Sequence, residues 1–139
     1  MTLLKILMPL PAGVSAAALA DLLTAAGLKA LSRLEWFADC PGGDGVPVVL
    51  LVVSNEEGAV AALEGPVRAA ATRGDRVIAV WPPGSVSSPL PHILQDYGAA
   101  LIVWDPVALH SAICGEEPEW QDAGGGTREA PAMKRNKNC

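Results

Sequence analysis

The amino-acid sequence predicts an α/β domain, a three-layer sandwich in which a five-stranded, mostly parallel sheet lies between helices. Half of the 139 residues are apolar and 18% are charged, which is enough to bury a core in one compact domain. Short apolar segments alternate with segments of helical periodicity, as in proteins built from strand–helix–strand units. We therefore expect residues 1–115 to form the domain and residues 116–139 to form an irregular, charged tail.

The first part of the chain predicts a strand, a helix and a second strand. Residues 3–8 are apolar except for Lys5 and run into a proline-rich turn. Ser15 is suited to cap the following helix, because its hydroxyl can accept a first-turn N–H, and Gly27 provides the left-handed residue that ends it. Residues 29–37 alternate imperfectly between apolar and polar side chains and predict the second strand.

The middle of the chain predicts the centre of the sheet. Residues 48–53 contain no polar member, which is typical of a strand covered on both faces. Acidic residues around Glu57 favour a helix start, and Gly74 ends that helix. Pro66 is expected to kink or restart it, since proline removes a helical hydrogen bond.

The last part of the domain predicts two more strands and a final helix. Residues 76–81, which are apolar after Arg76, and residues 99–104 predict the fourth and fifth strands, with a short helix at 90–97 between them. Asp105, followed by a proline, is suited to cap a last helix that ends near Cys114.

Charge and cysteine content limit the partners and the compartment. The net charge of -5 argues against binding to nucleic acid or to an anionic membrane surface. No apolar run approaches the roughly 20 residues that a membrane-spanning helix needs. Three cysteines, with no CxxC motif, favour a reducing cytoplasm over a disulfide framework. The sequence therefore predicts a cytoplasmic protein.

One pair of residues has the spacing of metal ligands. His110 and Cys114 lie four residues apart, so they share a face of the last predicted helix. Two ligands do not complete the four that a structural zinc ion takes. We therefore expect a buried thiol beside a hydrogen-bonded histidine, and no metal site.

A ligand site in a parallel sheet is expected at the carboxyl ends of the strands. The sequence carries no P-loop and no dinucleotide fingerprint there. Two tryptophans end strands, and they either stack on a nucleotide from both sides of one cleft or close the end of the core. The candidate nucleotide-binding residues are Ser54, Trp81, Trp104 and Asp105.

Residues 48–102 resemble the middle of a Toll/interleukin receptor (TIR) domain, which has a flavodoxin-like fold. The matching pieces are VVLLVVS ending at Ser54, a helix containing Glu64, GDRVIAVW at 74–81 and LPHIL at 90–94. The resemblance implies a signalling module of a bacterial defence or conflict system that binds or cleaves NAD or a related nucleotide. NAD would then be a substrate, and no other cofactor is expected.

In the enzymatic branch of that family, a glutamate acts on the bond between nicotinamide and ribose. A carboxylate beside the ribose stabilises an oxocarbenium-like transition state by its charge. Glu64 is nearest to the family's glutamate, and Glu57 is the second candidate because it lies closer to the end of the strand. Either residue is also compatible with a solvated position on a helix.

The alternative is a non-catalytic adaptor or immunity-type protein that acts by protein–protein interaction. The tail suits such a role, since residues 116–129 carry five acids and one base, whereas 130–139 carry three bases and no acid. A frayed, solvated terminus and a homo-oligomer are left open. The candidate partner-binding residues are Trp120, Arg128, Lys134, Arg135 and Cys139.

Overall fold

The computed structural model describes residues 2–8, 10–11, 13–40, 46–53, 57–83 and 100–114. The predicted helix at 90–97 and the tail at 116–139 lie outside these residues. Within them the fold is α/β, as the sequence predicts. The strands are β1 Thr2–Ile6, β2 Lys29–Ala30, β3 Glu35–Ala38, β4 Val48–Val52, β5 Arg76–Val80 and β6 Ala100–Ile102, and the helices are α1 Ala16–Ala25, α2 Glu57–Arg73 and α3 Pro106–Cys114.

Among the residues that the structure describes, the sheet is mixed and has six strands in the order β2-β3-β1-β4-β5-β6. Strands β1, β4, β5 and β6 are parallel to one another, whereas β3 is antiparallel to both β1 and β2. The prediction of five strands is therefore wrong, and the parallel part is confined to four neighbours. The error lies in residues 29–37, which form a hairpin instead of one strand.

The hairpin forms because residues 31–34 fold into a hydrogen-bonded turn. The backbone N–H groups of Leu31 and Ser32 donate to the carbonyl oxygen of Glu35 at 2.7 and 3.0 Å. The hydroxyl of Ser32 in turn accepts the N–H of Glu35 at 3.2 Å. Serine favours such local bonds over a strand ladder, so the imperfect alternation of the sequence marks a turn.

The antiparallel direction of β3 follows from the length of the next connection. Only residues 39–47 separate Ala38 from Val48. A crossover between parallel strands takes a dozen or more residues, whereas antiparallel strands are joined at one edge of a sheet. Ala38 at the end of β3 and Val48 at the start of β4 accordingly pair with β1 on its two sides, opposite Thr2 and Leu4.

Strand β4 lies inside the sheet, with β1 and β5 as its neighbours. All five of its residues are buried. Val48, Leu50 and Val52 belong to the core under α1 and α3, whereas Val49 and Leu51 belong to the core under α2. The prediction of a central strand at 48–53, covered on both faces, is confirmed.

The helix boundaries agree with the predicted caps. The hydroxyl of Ser15 accepts the N–H of Ala18 at 3.0 Å, and Gly27 has a φ of 90° just after α1. A carboxylate oxygen of Asp105 accepts the N–H of Ala108 at 2.9 Å at the start of α3. Helix α2 continues through Pro66, which is exposed, so the predicted restart is wrong.

The end of α3 is attached to the rest of the fold by a disulfide. Cys40 and Cys114 are bonded, with their Cα atoms 5.1 Å apart and a sequence separation of 74. The prediction that Cys114 is a buried thiol is therefore wrong. Spacing rules missed the bond because its partners meet only in the folded sheet. None of the helices that the structure describes is long and apolar enough to cross a membrane.

Candidate functional site: a pocket between α1 and the hairpin

The hairpin turn lies at the same edge of the sheet as the carboxyl end of β1. Lys5 pairs with Glu35 in the antiparallel register, and the N–H of Ile6 donates to the carbonyl oxygen of Leu34 at 2.8 Å. The turn thus extends the edge at which ligands of parallel sheets bind.

A pocket of about 280 Å³ opens between α1 and the hairpin. We call it the α1–hairpin pocket. Ile6 and Met8 line it from β1 and the residues after β1, and the opposite side is lined by α1 residues Ala16, Ala17, Leu19 and Ala20. The hairpin contributes Arg33, Leu34 and Trp36. The pocket is therefore framed by a strand, a helix and a fixed turn.

The walls of the pocket are mainly apolar. Arg33 is the one charged residue among the described residues that line it, and none of those residues carries a carboxylate. The hydroxyl of Ser32 is already used in the turn, where it accepts the N–H of Glu35. This arrangement suits an apolar group and provides no general acid or base.

Trp36 forms one wall and carries an unusual polar atom. The residue is 6% exposed and lies in the core beside its cross-strand partner Leu4. Its indole Nε1 is buried and has no hydrogen-bond partner among the residues that the structure describes. Leaving a buried donor unpaired costs about 1–3 kcal/mol. The pocket wall is therefore built at some expense of stability.

The size of the pocket limits what it accepts. A volume of about 280 Å³ lies near the lower end of the range of about 300–1,000 Å³ that small-molecule sites occupy. It suits one or two large side chains of a partner or a compact small molecule.

The two tryptophans that end strands do not flank one cleft. Trp81 is 1% exposed and lies in the core under α2. Trp104 is partly buried and packs against the core on the other face of the sheet. Burial at strand ends agrees with the alternative in which these rings close the core, and neither ring lines the α1–hairpin pocket.

The candidate carboxylates are placed apart from the pocket. Glu64 lies on the exposed side of α2, where its Oε1 is 2.7 Å from the Nη2 of Arg68. Glu57 is the first residue of α2, about 10 Å from Glu64 along the helix axis at 1.5 Å per residue. Helix α2 covers the face of the sheet opposite to α1, so Glu64 and the pocket are separated by the sheet.

The other predicted residues divide into those with a structural role and those outside the described part. Asp105 caps α3 through its side chain. His110 lies on α3 with its Nε2 3.7 Å from the Sγ of Cys114, which the disulfide occupies. No group of three potential metal ligands occurs among the described residues. The predicted site residues outside the described part are Ser54, Trp120, Arg128, Lys134, Arg135 and Cys139.

Sequence reasoning missed the pocket because its residues were assigned to the interior of a strand. Arg33, Leu34 and Trp36 all fall within the predicted strand at 29–37. The signal that marks the turn is Ser32 three residues before Glu35, a spacing that permits the side-chain bonds described above. A hairpin assignment would have brought these residues to the edge of the sheet.

Comparison with protein-family models, with curated proteins and with solved structures finds no match to the chain.

Proposed function

We propose that the chain is a non-catalytic adaptor or immunity-type protein, a TIR-like module of a bacterial defence or conflict system that acts by binding a protein partner. The observation that carries the proposal is the α1–hairpin pocket, an apolar pocket of about 280 Å³ with exposed apolar side chains at its rim. Binding energy in protein interfaces concentrates in a few large side chains that fill such pockets.

The rim of the pocket supports a protein partner. Met8 is 47% exposed and Leu34 is 37% exposed, and both line the pocket. Arg33 stands beside them as an exposed donor for a carbonyl or carboxylate of the partner. An apolar anchor surrounded by apolar side chains and one arginine is a composition enriched at interfaces.

Two observations favour binding over cleavage of NAD. The described residues that line the pocket carry no carboxylate. Glu64, the first candidate for catalysis, is half exposed and paired with Arg68 on the outer side of α2. We therefore favour binding of a protein partner over cleavage of NAD by Glu64 or Glu57.

An assay for nicotinamide separates the two functions. The full chain is incubated at high concentration with NAD, beside Glu64→Gln and Glu57→Gln variants. We expect no release of nicotinamide from any of the three proteins. Release by the wild type that is lost in one glutamine variant would replace our proposal with the enzymatic one.

A pocket-filling substitution tests the binding site. Ala17 is exposed and lines the pocket, so Ala17→Leu occupies it while keeping a good helix former. Ala69→Leu on the exposed side of α2 is the matched control. We expect a partner from the native cell to be recovered with the wild type and the control, and to be lost with Ala17→Leu. Equal recovery of the partner with all three proteins would show that the α1–hairpin pocket is not part of the interface.

The compartment is proposed from the disulfide. The odd number of cysteines predicts a reducing cytoplasm, but a bond between Cys40 and Cys114 is typical of an oxidising environment. We propose that the protein works where this bond persists. Alkylation of the protein in freshly lysed cells should modify Cys139 alone. Modification of all three cysteines would show that the bond is absent in the cell and would support the reducing cytoplasm that the number of cysteines predicts.

A further inference from the structure

Part of the sheet is exposed on the face that α2 packs against. Helix α2 covers this face at β4 and β5, whereas the described helices leave β1, β3 and β2 open. Leu3 pairs with Phe37, and Phe37 pairs with Lys29, so these three side chains lie on one face of β1, β3 and β2. Lys5 and Glu35 form the next row of the same face. We call these five residues the open sheet face. None of the helices that the structure describes covers it, since α2 packs over β4 and β5.

The open sheet face combines apolar and basic side chains. Leu3 is 47% exposed, and Phe37 beside it is half-buried. Lys5 and Lys29 are both exposed, against the single acid Glu35. The face is therefore suited to an acidic segment with an aromatic residue.

The chain has such a segment just after α3. Residues 115–122 contain Glu116, Glu117, Glu119 and Asp122, with Trp120 among them and no base. Opposite charges across a contact give specificity and orientation. The tryptophan supplies a large apolar surface for Leu3 and Phe37.

The disulfide fixes the start of this segment beside the end of β3, on the side of the sheet that α3 covers. Cys114 is bonded to Cys40, and Cys40 follows the end of β3 by two residues. In extended form, residues 115–120 reach about 20 Å. Packed layers lie about 10 Å apart, so this length is enough to pass from the side of α3 to the open sheet face. Tethering also raises the effective concentration of the segment to about the millimolar range.

We propose that residues 115–122 dock on the open sheet face of the same chain, with Trp120 against Leu3 and Phe37 and the acidic side chains near Lys5 and Lys29. The contact is independent of the α1–hairpin pocket, which lies on the other face of the sheet. Any partner that engages Trp120 must therefore displace the segment from this face.

Paramagnetic relaxation enhancement in the full chain tests the contact. Cys139→Ser removes the remaining thiol, and Gln121→Cys then carries a nitroxide label next to Trp120, with the Cys40–Cys114 bond intact. We expect the amide signals of Leu3 and Phe37 to be broadened and to recover when the nitroxide is reduced. The amide of Asp21, on α1 across the sheet, should keep its intensity.

Matched variants separate docking from chance proximity. A label at Met133→Cys, in the basic part of the tail, should leave Leu3 and Phe37 less broadened than the label at 121. Lys5→Glu with Lys29→Glu changes two exposed side chains and should weaken docking about tenfold, which corresponds to about 1.4 kcal/mol. Salt near 1 M, where the Debye length is about 3 Å, should act in the same direction.

The outcomes are distinct. Absence of broadening at Leu3 and Phe37 with the label at 121 overturns the proposal. Broadening that requires a mixture of labelled chains with separate isotope-enriched chains identifies a second copy as the occupant, and overturns it as well. Neither result bears on nicotinamide release or on partner recovery through the pocket, so failure here leaves the proposed function standing.

Discussion

The Nη2 of Arg76, at the start of β5, donates a hydrogen bond of 2.6 Å to the carbonyl oxygen of Ala112, near the end of α3. The Nη1 of the same side chain donates to the carbonyl of Ile113 at 3.0 Å. The last carbonyl groups of a helix have no partner within the helix, and the helix dipole makes this end negative. One arginine therefore satisfies two of these groups and joins α3 to the parallel part of the sheet.

Arg76→Met should lower the free energy of unfolding by about 1.5–3 kcal/mol, the range for hydrogen bonds that involve a charged group. Methionine keeps much of the length and the apolar stem of arginine. The decrease in the free energy of unfolding therefore reports the loss of the guanidinium hydrogen bonds. Arg68→Met is the matched control, because the Arg68–Glu64 pair is exposed and worth about 0.5 kcal/mol or less. Urea unfolding measures both. Equal losses in the two variants would contradict the role of Arg76 as a helix cap.

Removal of the disulfide should cost more than any single hydrogen bond. Cys40 and Cys114 close a loop with a sequence separation of 74, for which the chain-entropy estimate is about 4 kcal/mol. Cys40→Ser and Cys114→Ser should melt at similar, lower temperatures, because each removes the same bond. A reductant should bring the wild type to the same level, and Cys139→Ser should change nothing. Wild-type stability in Cys40→Ser would show that the bond does not form.

Local signals in the sequence predicted most of the fold that the structure describes. The apolar run of β4 and the caps at Ser15 and Asp105 depend on neighbouring residues only, so they are visible in the sequence. The direction of β3 and the Cys40–Cys114 bond depend on where distant segments meet. Local patterns carry no information on such contacts, which is why both were missed.

The same limit applies to the candidate site. The sequence places Trp81 and Trp104 at strand ends but does not tell on which face of the sheet each ring lies, and the structure puts them on opposite faces. The role of Trp36 as a pocket wall does not follow from the sequence pattern, because residues 29–37 are predicted as one strand without the turn that precedes Trp36. The edge of the sheet was predictable from topology, whereas the residues at that edge depend on the hairpin.

Trp36→Phe should lower the free energy of unfolding by about 1 kcal/mol or less, which is a small loss for a substitution in the core. The smaller ring loses some contacts, but the variant also removes a buried N–H with no partner among the described residues, which itself costs about 1–3 kcal/mol. Trp36→Ala should cost about 3–5 kcal/mol, because it leaves a cavity. Thermal unfolding of the pair checks this. A loss in Trp36→Phe close to that in Trp36→Ala would indicate that the indole N–H is hydrogen-bonded.

Asp105→Ala should destabilise the protein by about 1 kcal/mol, the usual loss for an N-cap. Its side chain accepts the N–H of Ala108 at 2.9 Å, and alanine leaves that donor without the bond. Asp105→Asn keeps an accepting oxygen and should retain most of the stability. Denaturant unfolding separates the two variants, and an asparagine variant as unstable as the alanine one would assign the effect to the charge.

Leu51→Asp should prevent folding, whereas Leu3→Asp should be tolerated. Leu51 is 2% exposed in the central strand, under α2, and an unpaired carboxylate there costs several kcal/mol, comparable to the 5–15 kcal/mol that stabilise a typical domain. Leu3→Asp is the same chemical change at a residue of the open sheet face that is 47% exposed. Surface substitutions lower the free energy of unfolding by about 0.5 kcal/mol or less. Circular dichroism and thermal melting distinguish a folded from an unfolded chain. Equal unfolding in both variants would mean that Leu3 belongs to the folded core as Leu51 does, and native-like melting of Leu51→Asp would contradict the central position of β4.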